Sequence, residues 1–199
     1  MISRLKGTLL TRSLDRVEIE TASGVVYEVE VPLSVLQRLP APPKEGVELR
    51  TLQLFREDSA TLYGFMDVTE RELFRRLISV SGVGAKLALA MLSTYSAHRL
   101  ARALVERDVT ALRQVSGVGK KTAERMALEL ADKVTDLAMV EEGSTDVPVG
   151  RMSREAVGAL ISLGYSFTDA DQAVRLVIEE ADVHSVDELI RSALQQRGT

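Results

Sequence analysis

The sequence predicts an α+β chain built as three units: a five-stranded barrel over residues 1–66, an all-helical unit over 67–140, and a small three-helix, UBA-like bundle over 151–199. Three observations carry that reading. Short segments that alternate apolar and polar residues dominate up to residue 66, and apolar residues recur with helical spacing after it. A thirteen-residue segment occurs twice in the middle of the chain. An acidic, Gly- and Pro-bearing stretch, EEGSTDVPVG at 141–150, has the composition of a flexible linker.

In the first unit, ISRLKGTLLT, RVEIET and VVYEVEV alternate apolar and polar residues, the mark of half-buried strands. Ala22-Ser23-Gly24 turns the second into the third. SVLQRL (34–39) is a short amphipathic segment after Pro32, stopped by Pro40-Ala41-Pro42-Pro43. Two further strands, 47–55 and 61–65, flank the polar turn Arg56-Glu57-Asp58-Ser59. Five short strands with one helical turn between the third and fourth is the layout of an OB-type barrel.

The period changes at Thr69. Thr69-x-x-Glu72 reads as a capping box, followed by the stripe Leu73, Leu77 and Ile78. In the last unit Ser153 can cap a helix that Gly164 ends. Thr168-x-x-Asp171 and Ser185-x-x-Glu188 mark two more helix starts.

Composition narrows the chemistry. With 45% hydrophobic and 27% charged residues the chain has the balance of a soluble globular protein. There are no cysteines, so disulfides, thiolate metal sites and cysteine nucleophiles are excluded. Two histidines, His98 and His184, lie far apart, which argues against a histidine metal cluster or a His-centred triad. MISRLKGTLL lacks an apolar core for a signal peptide, and no stretch reaches membrane-spanning length. A cytoplasmic protein is expected. The net charge of −4 hides an asymmetry: residues 65–140 carry 12 basic and 9 acidic side chains, while every other segment is acidic. A polyanion would be met in the middle third.

The repeat lies there. VSGVGAKLALAML (80–92) and VSGVGKKTAERMA (115–127) share eight of thirteen residues at a period of 35. The duplicated unit reads as helix, Gly-x-Gly hairpin, helix. Gly82, Gly84, Gly117 and Gly119 allow positive φ and close approach of backbone to a partner. The second helix starts at the second glycine, so its unpaired N–H groups and dipole form an anion site. Lys86 and Lys121 lie in the first turn, where a cation suits the helix poorly and a bound phosphate well. Lys120, Thr122 and Arg125 complete the candidate DNA-binding set. A plain helix-helix turn is the competing reading of either copy alone, and the duplication with lysine at one offset argues against it. A nucleotide-binding P-loop is excluded, because Gly119-Lys120 is followed by Lys121 and position 114 is Gln. Backbone contacts of this kind carry no base information.

VSGVGAK, VSGVGKKTAERM, LFREDSATLYGF and EAVGALISLGY together resemble the RuvA family of bacterial Holliday-junction-binding proteins, in order along the chain. The resemblance implies a non-catalytic, tandem helix-hairpin-helix subunit that binds four-way junction DNA as a homotetramer, or as an octamer of two tetramers. It implies RuvB ATPase hexamers as motor partners, the RuvC resolvase as a further partner, and a cytoplasmic role in recombination, repair and the SOS response to DNA damage. No cofactor or metal is expected, since the motor hydrolyses the ATP. Glu57 and Asp58 read from the residues as a solvated polar turn, and by resemblance as an acidic pin entering the junction centre. Leu160, Leu163, Tyr165 and Leu194 read either as bundle core or as an exposed patch, and by resemblance as the motor contact, with Tyr165 the leading surface candidate. A helix-hairpin-helix glycosylase is the alternative; Asp132 and Asp136 are present, but they lie among ordinary exposed charges on a helix, and two tandem hairpins are not the glycosylase layout. A protein-only interaction module is a third reading, which the lysine-bearing hairpins disfavour.

Overall fold

The computed structural model describes residues 1–139, 148–180 and 185–196. Five strands close a barrel: β1 (Arg4–Arg12), β2 (Arg16–Glu20), β3 (Val26–Glu30), β4 (Lys44–Phe55) and β5 (Ala60–Phe65), in the order β1-β2-β3-β5-β4. All neighbours are antiparallel except β3 and β5, which meet in parallel at Glu30 and Tyr63. The alternation of the sequence is the cause. Val17 and Ile19 on β2 are fully buried while Arg16, Glu18 and Glu20 between them stay half-exposed. The helix α1 (Leu33–Arg38) buries Val35 and Leu36 into the same barrel core as Leu9, Val29 and Leu49. The predicted OB-type arrangement is therefore observed.

A second core begins where the barrel ends. Tyr63 and Phe65 on β5 pack against Phe74 of α2 (Val68–Leu77), with ring centroids 4.9 and 5.0 Å apart. Such aromatic pairs add about 0.5–1.5 kcal/mol beyond their burial. Phe74 shares its core with α3 (Ala85–Thr94), α4 (Ala97–Val105), α5 (Val109–Leu112) and α6 (Lys120–Leu130). A 3-10 turn at Ala131–Lys133 and α7 (Thr135–Ala138) follow. The last unit is α8 (Pro148–Ser162), α9 (Phe167–Glu180) and α10 (Val186–Gln196). It meets α4 through an ion pair from Arg102 Nη1 to Asp171 Oδ2 of 3.2 Å.

Several helix starts differ from the sequence expectation. α2 is capped by Asp67, whose Oδ1 accepts from the Glu70 N–H at 2.8 Å, and Glu70 Oε2 accepts from the Met66 N–H at 2.9 Å. Asp67-x-x-Glu70 thus does what Thr69-x-x-Glu72 was expected to do. Glu72 is held by Arg75 and Arg76 instead. Ser153 does not cap α8, which starts five residues earlier, and it sits buried within the helix. At α9 the cap is Ser166, which accepts from the Asp169 N–H at 3.1 Å, whereas Asp171 pairs with Arg175 and Arg102. Ser185 does cap α10 as expected, accepting from the Glu188 N–H. Gly164, at φ +97°, ends α8 as expected. Its N–H bonds to the Ile161 carbonyl and that of Tyr165 to the Leu160 carbonyl, closing a Schellman turn. Of the linker expected at 141–150, residues 141–147 lie outside the described residues, as does His184, while 148–150 form the first turn of α8.

Candidate nucleic-acid interface

The two repeated segments fold alike down to single hydrogen bonds. Val80 and Val83 are buried in the first hairpin, Val115 and Val118 in the second. The Val83 N–H donates to the Val80 carbonyl at 3.0 Å, and the Val118 N–H to the Val115 carbonyl at 3.1 Å. These valines root each turn in the core and leave Ser-Gly and the second glycine outside.

The glycines divide into two kinds. Gly82 and Gly117 have φ of +85° and +90°, the left-handed region that side chains avoid. Gly84 and Gly119 do not: φ is −86° and −79° with extended ψ, a conformation open to any residue. The expectation of positive φ at all four is corrected to the first of each pair. A Cβ built at Gly84 or Gly119 would meet no atom within 4 Å. Both are N-caps with no side-chain hydrogen bond, at positions where Ser, Asp or Asn would satisfy a helix N–H. Neither the backbone nor the packing of the chain demands glycine there. What glycine leaves is free access to the first N–H groups of α3 and α6 at the positive ends of their dipoles.

Lys86 and Lys121 are exposed beside these helix ends. Neither makes an ion pair within the described residues. Lys120 lies 3.8 Å from Glu124, an exposed pair that holds it weakly. Thr122 is half-buried. Arg125 does something the sequence did not suggest: its Nη1 donates to the Ser81 carbonyl at 2.9 Å, bridging α6 to the first hairpin. Reciprocally, a Cβ at Gly117 would lie 3.3 Å from Leu87 of α3. Each hairpin thus meets a side chain of the other's second helix, which holds the two hairpins together.

Glu57 and Asp58 are exposed at the tip of the β4–β5 ribbon. Phe55 pairs with Ala60, and the Arg56 N–H closes the turn onto the Ser59 carbonyl at 2.8 Å. In the tail, Leu160 is only 2% exposed and fills the common core, while Leu163 is 63% exposed. Tyr165 and Leu194 are half-buried against the core. The Schellman turn explains the difference, since it folds the residue after Gly164 back onto the helix end and leaves Leu163 outside. The four residues are therefore not one surface; Leu163 is the exposed member.

Of the carboxylates near the hairpins, Asp136 is engaged within the fold. Asp136 receives both guanidinium nitrogens of Arg76, at 2.5 and 2.9 Å. Asp132 lies in the 3-10 turn after α6. Glu70 is 7% exposed; burial, then repulsion from Asp67, push its pKa up, and Arg38 beside it works the other way.

Barrel, side-by-side hairpins and three-helix tail define an OB-barrel protein of the tandem helix-hairpin-helix class. Residues 1–64 match the family described as RuvA N terminal domain, 74–132 the SAM-like helix-hairpin-helix tandem, and 151–196 the RuvA C-terminal domain. Three relatives all bear the description Holliday junction branch migration complex subunit RuvA. The Gemmatimonas aurantiaca protein is 46% identical over 98% of both chains. The Pseudomonas syringae protein is 44% identical over the whole of both, and that of Neisseria meningitidis 43% over 92% of this chain and 93% of its own. The chain belongs to the RuvA family.

Proposed function

We propose that this chain binds four-way DNA junctions without regard to sequence, as a homotetramer that holds the four arms open and square. The observation that carries this reading is the pair of adjacent hairpins. Each has an uncapped helix N-terminus, an open glycine and an exposed lysine, and together they suit the phosphates of one duplex arm. Lys86 and Lys121 each neutralise a phosphate. The N–H groups beyond Gly84 and Gly119 supply the close contacts, with Gly82 and Gly117 shaping the turns. Lys120, Thr122 and Arg125 border them. Backbone contacts of this sort position DNA and leave its sequence unread.

Glu57 and Asp58 act by charge. A carboxylate pair near the crossover repels phosphates and opposes collapse of the open form. The three-helix tail recruits the RuvB ATPase through a surface that includes Leu163, and the motor hydrolyses the ATP. RuvC joins the same assembly, a second tetramer can complete an octamer, and the setting is the cytoplasm. The glycosylase alternative is disfavoured because Asp136 is committed to Arg76. A gel shift comparing a four-way junction with linear duplex of equal length, in magnesium and with or without the motor, tests this. A marked junction preference and motor recruitment are expected; equal binding of both DNAs would overturn the reading.

A further inference from the structure

The chain has four Phe and four Tyr. Seven of these rings are buried or half-buried; Phe55 alone is exposed, at 67%. It ends β4, directly before the turn that carries Glu57 and Asp58, and its cross-strand partner is Ala60, a single methyl. No bulky neighbour across the ribbon covers the ring. We propose that Phe55 is a stacking platform for an unpaired nucleobase at the junction crossover, with the carboxylates of Glu57 and Asp58 accepting hydrogen bonds from the base's exocyclic amino group.

The chemistry selects this occupant over others. A lone phenyl set among Arg56, Glu57, Asp58 and Ser59 offers too little apolar area for a stable protein interface. Two carboxylates beside it repel phosphate, so the sugar-phosphate backbone is a poor fit. A base has an uncharged π-face for the ring, and cytosine, adenine and guanine carry amino donors that a carboxylate accepts. Strand exchange supplies such bases, because each step breaks one pair before the next forms. The ring would shelter the base in the interval and be indifferent to its identity, as sequence-independent migration requires.

This inference rests on the junction-binding reading, and the test separates the two. Full-length protein is bound to four-way junctions carrying 5-iodocytosine, which keeps the exocyclic amino group, either at the crossover or in mid-arm, irradiated with long-wave ultraviolet light, and the adduct is mapped by mass spectrometry. An adduct on Phe55 from the crossover position only is expected, kept in Phe55→Trp. Phe55→Ala should lower junction affinity by about fivefold, as loss of one stacked base does, without changing linear-duplex affinity. A bound junction that gives no Phe55 adduct, or gives it equally from mid-arm, would overturn the platform alone. A change of oligomer size in Phe55→Ala would also overturn it, placing the ring in a protein contact. Absence of any junction complex would overturn the parent reading, and this one with it.

Discussion

Gly82 and Gly84 stand two residues apart and do unlike things, and serine tells them apart. At Gly82 and Gly117 a side chain must adopt positive φ, so Gly82→Ser or Gly117→Ser should cost about 1–2 kcal/mol in denaturant unfolding. At Gly84 and Gly119 serine is a favoured N-cap, so stability should hold or rise by about a few tenths of a kcal/mol. DNA affinity should nevertheless fall, because the hydroxyl occupies the N–H groups offered to phosphate. Unchanged affinity in Gly84→Ser and Gly119→Ser would remove those N–H groups from the interface. Glu70 gives a second residue-level test. Its raised pKa means that, between the usual 4.5 and the native value, the folded state holds a proton the unfolded chain has released. Stability contributed by this group therefore falls as pH rises through that window. Glu70→Gln keeps an acceptor for the Met66 N–H and carries no charge. Its stability relative to the parent should improve as pH rises above 4.5. The opposite trend would mean that Arg38 outweighs the burial.

At the scale of elements, the β4–β5 ribbon and the paired hairpins act in opposite electrical senses. Glu57→Gln with Asp58→Asn should strengthen binding of linear duplex and narrow the preference for junctions, measured by anisotropy on both DNAs. A weakened affinity for linear duplex, which offers no unpaired base, would mean that the carboxylates do not repel phosphate. Strands and hairpins were legible in the sequence because their signals are local: period two for the barrel, and repetition for the turns. Helix starts were less so. Asp67-x-x-Glu70 and Thr69-x-x-Glu72 overlap, and the chain uses the first because Arg75 and Arg76 engage Glu72. Ser166 displaced Thr168 in the same way, with Asp171 engaged by Arg175 and Arg102. The Arg125 strut to Ser81 spans 44 residues, and no local pattern announces a contact of that kind. The exposure of Phe55 depended on its partner being Ala60, which only register reveals.

For the whole molecule, order along the chain becomes order in space. The Phe74 cluster couples the barrel carrying the acidic turn to the helices carrying the hairpins, so that the two are held at a fixed separation on one core. The net charge of −4 is compatible with the proposed DNA-binding face because the basic excess is confined to residues 65–140. Whether the hairpin lysines meet phosphate is measured most directly by salt dependence. Junction affinity is to be titrated against salt for the parent chain and for Lys121→Ala. The slope of log affinity against log salt should shrink by about 0.9 for each phosphate no longer neutralised, hence by up to about 3.6 in a four-fold assembly. Equal slopes for the two proteins would mean that Lys121 touches no phosphate, and would contradict the account.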